Sequence, residues 1–114
     1  EMKSETGIRN EILLALGRYP ELMIWTHPTG LAQRAQGKGY VRFGLIGSAD
    51  IMGICGPVGR AIGLEVKRPG QKQRDSQRNF QRKFESLGGF YAVVHSADEA
   101  HLVLKENGLI GDIL

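Results

Sequence analysis

Residues 50–67 read DIMGICGPVGRAIGLEVK. Two apolar stretches, Asp50–Cys55 and Arg60–Lys67, flank Gly56-Pro57-Val58-Gly59, four residues that read as a turn. With Pro57 and Val58 central, antiparallel pairing sets residues whose numbers sum to 115 opposite one another, so Asp50 faces Glu65. Cβ atoms of such a pair lie ~4.5–5.5 Å apart. Lys67, two residues beyond Glu65, shares that face. Opposed like charges are destabilising, and a cation between them removes the repulsion. All-oxygen ligation suits a hard ion, Mg²⁺ or Mn²⁺. Lys67 then either stabilises charge developing on a phosphate or helps orient an attacking water. The competing reading is an incidental pair, with Asp50 at a strand end in water and Lys67 solvated. A register slip of one residue would also separate the pair.

Working outward, Ile8, Ile12 and Leu16 recur at helical spacing, with Ser4 as N-cap and Gly17 as the stop. Glu5 falls on the apolar side of that helix, and Glu11 at its edge. A metal site under the helix would give Glu5 a partner, but the first turn of a helix also favours acids for its own sake. Leu22–His27 reads as a strand, Pro28–Gly39 as a Gly-, Gln- and base-rich loop, and Tyr40–Leu45 as a short strand. After Pro69-Gly70, Asp75 can cap a helix reaching about Leu87, with Phe80, Phe84 and Leu87 as its buried face. Gln77 lies on that face and needs a hydrogen bond there, from the site or from a neighbouring strand. Tyr91–Val94 is a further strand. Ser96-x-x-Glu99 opens a last helix ending near Gly108. The expected fold is α/β, a mixed central sheet flanked by helices in the order α-β-β-β-β-α-β-α, as one domain over residues 1–114.

The chain has 114 residues, a net charge of +3 and 41% hydrophobic residues, an ordinary globular mixture. Charge is unevenly placed. Leu31–Phe84 holds eleven Lys and Arg against three acids, and the remainder four against nine. A basic centre between acidic ends points to a polyanionic partner. No apolar run approaches a membrane span and no secretory signal is visible. Cys55 cannot form an internal disulfide, which fits a cytoplasmic setting. Gly37-Lys38-Gly39 lacks the Ser or Thr of a Walker loop, so no nucleotide cofactor is expected.

The residues Gly47-Ser48-Ala49-Asp50, then Glu65-Val66-Lys67, then Gln77, resemble the virus-type replication-repair nuclease (VRR-NUC) family, a branch of the PD-(D/E)XK nucleases. The likeness to stand-alone phage members extends to Gly30-Leu-Ala-Gln-Arg34, Phe43-Gly44-Leu-Ile-Gly47 and Lys67-Arg68-Pro69-Gly70, and covers nearly the whole chain. Ala49 stands where the superfamily name expects Pro, a position that shapes the turn and offers no ligand. The resemblance implies a PD-(D/E)XK core. It implies that Asp50, Glu65 and the Val66 carbonyl hold Mg²⁺ or Mn²⁺, with Glu5 adding to the metal shell directly or through water. Lys67 would position or activate water and Gln77 would support the site. The implied activity is phosphodiester hydrolysis in branched DNA by a homodimer resembling Holliday junction resolvases, in the host cytoplasm if phage-encoded. A flap, end-processing or nicking nuclease and an inactive DNA-binding module of the same fold are the alternatives.

Arg34, Lys38 and Arg42, in or beside the Gly-rich loop, and Arg68 and Lys72, flanking the end of the Glu65 strand, are the expected phosphate contacts. Arg74, Arg78 and Arg82 form a stripe opposite Phe80 and Phe84, expected to be a solvated outer face. His27, His95 and His101 lack metal-ligand spacing and read as structural. Trp25 and Tyr91 read as core, and Cys55 as a small buried hydrophobe. Leu14 projects almost opposite Ile12, where a monomer would expose it.

Overall fold

The computed structural model describes residues 3–27, 30–33, 37–43 and 45–111. Helix α1 (Glu5–Leu16) starts where Ser4 Oγ accepts the Gly7 N–H at 3.0 Å and closes at Gly17. Strand β1 (Leu22–Thr26) follows. Strands β2 (Gly30–Gln33) and β3 (Tyr40–Phe43) form an antiparallel ribbon of their own. Then come β4 (Ile51–Cys55), β5 (Arg60–Val66), α2 (Asp75–Ser86), β6 (Phe90–Val94) and α3 (Ala97–Glu106). The main sheet has the order β1-β4-β5-β6, antiparallel except for the parallel β5–β6 pair. Helix α2 makes the crossover that a parallel pair requires. The architecture is therefore α/β, with a four-stranded mixed sheet and three helices.

Side-chain alternation divides the sheet into two faces. On one, Ile51, Ile62, Leu64, Val66 and Val94 pack with Ile8, Ile12 and Leu16 of α1 and with Ala100 and Leu104 of α3. This is the core, and its helical contribution is the face set by the i, i+4 spacing. The opposite face is only partly covered. There Phe80 and Phe84 of α2 stack with ring centroids 5.3 Å apart and meet the Tyr91 ring. Gly63 leaves the room for this: a Cβ at that position would sit 3.6 Å from the Phe84 ring and 3.2 Å from the Ala49 Cβ. Ser96 Oγ caps α3 by accepting the Glu99 N–H at 3.0 Å, while the Glu99 carboxylate accepts from His95.

Four sequence expectations change. Gly30–Gln33, read as loop, is a strand, so a ninth element interrupts the expected order. Its sequence, GLAQ, carries no strand-forming pattern, and the conformation comes from pairing with Tyr40–Phe43. Asp75 is the first helical residue rather than the cap; Gln77 Oε1 closes this end of α2 by accepting the Arg74 N–H at 2.8 Å. Leu87, expected on the buried face of α2, is 76% exposed because the helix stops before it. Trp25, expected in the core, is 40% exposed: it lies on edge strand β1, on the same sheet face as α2 but beyond the part that α2 covers.

The packing predicts a contrast within α1. Ile12, wholly buried, should lose roughly 2–5 kcal/mol of stability on replacement by Ala. Leu14→Ala, at an exposed position, should change stability by less than about 0.5 kcal/mol. Equilibrium urea denaturation of both variants checks this, and equal losses would contradict the orientation of the helix.

Candidate active site around Asp50 and Glu65

The hairpin register is the one that turn placement requires: Ile51 pairs with Leu64, Gly53 with Ile62 and Cys55 with Arg60. One further step sets Asp50, just before β4, against Glu65. Asp50 is held by both neighbouring strands. Its Oδ2 accepts the Val66 N–H at 2.8 Å, and its carbonyl accepts the His27 N–H at 3.0 Å. The preceding loop is clamped as well. Gly47 has φ +79°, and a Cβ there would lie 2.1 Å from the Ser76 carbonyl oxygen, so only glycine lets this loop touch the start of α2. Ala49, at the position where proline was expected, is fully buried and packs over Gly63.

Glu65 is 1% exposed, and its Oε1 has no hydrogen-bond partner among the described residues. Burial pushes its carboxyl up to about 9; hydrogen bonding with Asp50 and the Asp50 charge act in the same direction, while Lys67 and Arg74 pull it down. In the absence of a cation the pair therefore holds a proton near neutral pH. Lys67, 8% exposed, follows β5 and donates its backbone N–H to the Val94 carbonyl at 3.0 Å, which fixes its side of the sheet. Tyr91 reaches the same place from β6. Burial, then the charge of Glu65, raises its phenol well above the usual range, so it is a neutral hydroxyl. It accepts a hydrogen bond from Gln73 Nε2 at 3.0 Å and interacts with Glu65. The aromatic ring is core, as its sequence pattern suggests, but its hydroxyl belongs to the site.

A cleft of about 330 Å³ opens beside Asp50. Thr26 and His27 line it from the end of β1. Gly47, Ser48 and Asp50 come from the loop, Arg74 and Gln77 from the start of α2, and Arg9 from α1. Gln77, 4% exposed, thus does two things: it closes its own helix and forms part of the cleft wall.

Other expected residues lie elsewhere. Glu5 accepts a hydrogen bond from Gln71 Nε2 at 3.4 Å, and Glu11 pairs with Lys3 at 2.9 Å. Among the described residues no group of three His, Cys, Asp or Glu side chains converges to hold a metal. The Val66 group that Asp50 contacts is its N–H; the expected ligand is its carbonyl. Arg34 and the side chain of Arg42 lie outside the described residues. Lys38 and Lys72 are exposed, and Arg68 is half-buried, its N–H donating to Gln71 Oε1 at 2.6 Å. Lys38, Arg68 and Lys72 do not line the cleft. Arg78 and Arg82 engage Asp75 and Asn79 on the outer face of α2 as expected, but Arg74 does not belong with them. His95 pairs with Glu99 and His101 with the Tyr19 hydroxyl, both structural roles, whereas His27 lines the cleft. Cys55 is buried, its Sγ donating to the Leu109 carbonyl at 3.0 Å.

Arg9, Arg74 and His27 are the site residues that sequence reading missed. One signal for Arg9 was present: it lies four residues after Glu5 and next to the buried Ile8, and so borders the inward face of α1. No protein-family model matches the chain, and no curated protein matches it. No helix among the described residues is long and apolar enough to cross a membrane.

The raised Glu65 carboxyl has a signed consequence. A carboxyl that holds its proton more tightly in the folded chain stabilises the fold fully below its unfolded value near 4.5, and this contribution fades as pH climbs toward about 9. Metal-free protein should therefore lose stability across that window. Glu65→Gln, which keeps the shape without the ionisation, should flatten the loss. Urea midpoints taken from pH 5 to 9 for both proteins provide the comparison, and parallel curves would contradict the burial of an ionisable Glu65.

Proposed function

We propose that this chain is a divalent-metal-dependent endodeoxyribonuclease that hydrolyses phosphodiester bonds in branched DNA, as a homodimeric Holliday junction resolvase. The observation that carries the proposal is the Asp50–Glu65 pair: two carboxyl groups forced together at a sheet end, one oxygen unpartnered, with Lys67 on the same face. The resemblance to VRR-NUC nucleases in Gly47–Asp50, Glu65–Lys67 and Gln77 supports the same reading, including a PD-(D/E)XK core.

The donor set fits a hard cation. Mg²⁺ is commonly held by one or two carboxylates, with waters and phosphate oxygens completing its shell, so a third acidic side chain is not required. Asp50 and Glu65 would hold the ion, with the Val66 carbonyl as the additional ligand that the resemblance implies. When bound, Mg²⁺ or Mn²⁺ supplies Lewis-acid polarisation of the phosphate and lowers the pKa of water.

The chain's own residues do the rest. The Val66 and His27 amides keep Asp50 aimed at the cleft. Lys67 neutralises charge on the phosphate or orients the attacking water. Gln77 secures the first turn of α2 at the cleft wall. Arg34, Lys38, Arg42, Arg68 and Lys72 are proposed to contact the DNA backbone outside the cleft. A four-way junction needs two opposed cuts, and a two-fold dimer supplies two symmetric sites. Leu14, 80% exposed, and the uncovered Met23, Trp25 and Ile54 offer apolar surface for assembly.

Incubation with four-way junction, flap and linear duplex DNA in Mg²⁺, Mn²⁺ or EDTA tests the activity. Metal-dependent, paired symmetric nicks in the junction are expected, from a particle of about twice 12.5 kDa by light scattering. Asp50→Asn should lose both cleavage and Mn²⁺ binding by calorimetry. Lys67→Ala should keep Mn²⁺ binding while turnover falls on the order of 10²–10³-fold. Cleavage that survives Asp50→Asn or EDTA would refute the assignment, and a monomer that prefers flaps would replace the resolvase with a flap-processing nuclease.

A further inference from the structure

The cleft beside Asp50 is lined by two guanidinium groups and one carboxylate. Arg9 comes from α1, which packs on the core face of the sheet, and Arg74 from the start of α2, which packs on the other. They are 65 residues apart in the chain, and both line the cleft. Arg9 is half-buried, and its Nε is fully shielded with no hydrogen-bond partner among the described residues. A buried donor of this kind is costly unless something answers it. Among the described residues no acidic side chain does so: Glu5, one turn earlier on α1, is turned to Gln71, and Glu11 is paired with Lys3. Ser48 and Thr26 add hydroxyl donors on the same wall.

A planar guanidinium presents forked N–H groups that match the oxygens of a phosphate, and two of them converging on one cleft make an anion site. We infer that Arg9 and Arg74 form a clamp for a single phosphoryl group, holding a DNA phosphodiester in the cleft against Asp50. The clamp rests on the nuclease reading only for the identity of what carries the phosphate. It is distinct from Lys38, Arg68 and Lys72, which do not line the cleft. It also gives the two helices different tasks: α1 places the half-buried arginine, and α2 the exposed one.

Inorganic phosphate is the probe, titrated by calorimetry into the full chain in EDTA at neutral pH. The wild-type protein should bind it. Arg9→Gln and Arg74→Gln should each weaken binding at least about tenfold, the value of one charge-assisted hydrogen bond. Arg78→Gln, on the outer face of α2, should bind as wild type does. Arg74 is exposed, so its variant remains informative if Arg9→Gln fails to fold. Asp50→Asn, which removes the competing negative charge, should strengthen phosphate binding even as it removes Mn²⁺ binding.

In cleavage assays Arg74→Gln should raise KM for junction DNA more than it lowers kcat. Phosphate that fails to bind the wild type, or that binds Arg9→Gln and Arg74→Gln as tightly as the wild type, overturns the clamp, whatever DNA the protein cuts. Arginine-dependent phosphate binding in a protein that cuts no DNA would uphold the clamp and remove the nuclease reading instead.

Discussion

The alternation of side chains along the β4–β5 hairpin assigns every residue near the site to one of two environments. Ile51, Ile62, Leu64 and Val66 enter the core under α1 and α3, and the residues between them face the other way. Glu65 and Lys67 therefore stand on the face opposite their immediate neighbours Leu64 and Val66. A slip of one residue would drive a carboxylate into Ile8 and Ile12, and would lift Leu64 into the cleft region. Core packing and site assembly are thus the same constraint, and the hydrophobic pattern that stabilises the fold also opposes Asp50 to Glu65.

That opposition is unfavourable by itself. Two carboxyl groups at a sheet end, one of them buried, repel and lose hydration, and the surroundings compensate only in part. The Val66 amide satisfies one oxygen of Asp50, while one oxygen of Glu65 has no partner among the described residues. Lys67 and Arg74 offset some of the charge. The remaining imbalance is a reason for the chain to bind a proton or a cation here, and it sets this pair apart from Glu11, Asp75 and Glu99, which pair with Lys3, Arg78 and His95.

The parts of the fold that were legible in sequence are those with a local cause. Ser4 and Ser96 announce their helices through short side chains that cap them, and the i, i+4 spacing of Ile8, Ile12 and Leu16 predicts their burial. The turn at Gly56–Gly59 fixes the register, and with it the Asp50–Glu65 pair. The parts that were missed have non-local causes. GLAQ at residues 30–33 is a strand because of its partner. Trp25 is exposed because α2 covers only part of its sheet face. Arg74 continues the Arg78 and Arg82 stripe in sequence, but it precedes the helix, so the helical periodicity that places the other two does not place it. Arg9 and His27 enter the site through packing between elements far apart in the chain, which spacing along the sequence does not encode.

The cleft is drawn from four separated stretches of chain: the first half of α1, the end of β1, the loop before β4 and the opening turn of α2. No two of them are joined by a tight turn. Each must wait for long loops to close, an entropic step that precedes any reward from contact. The cleft therefore has no half-built form in a partly folded chain. The amides of His27 and Val66, both bonded to Asp50, are its natural clocks in hydrogen exchange: they gain protection only when the surrounding segments have arrived, and they report any later local opening that the hydrophobic core survives.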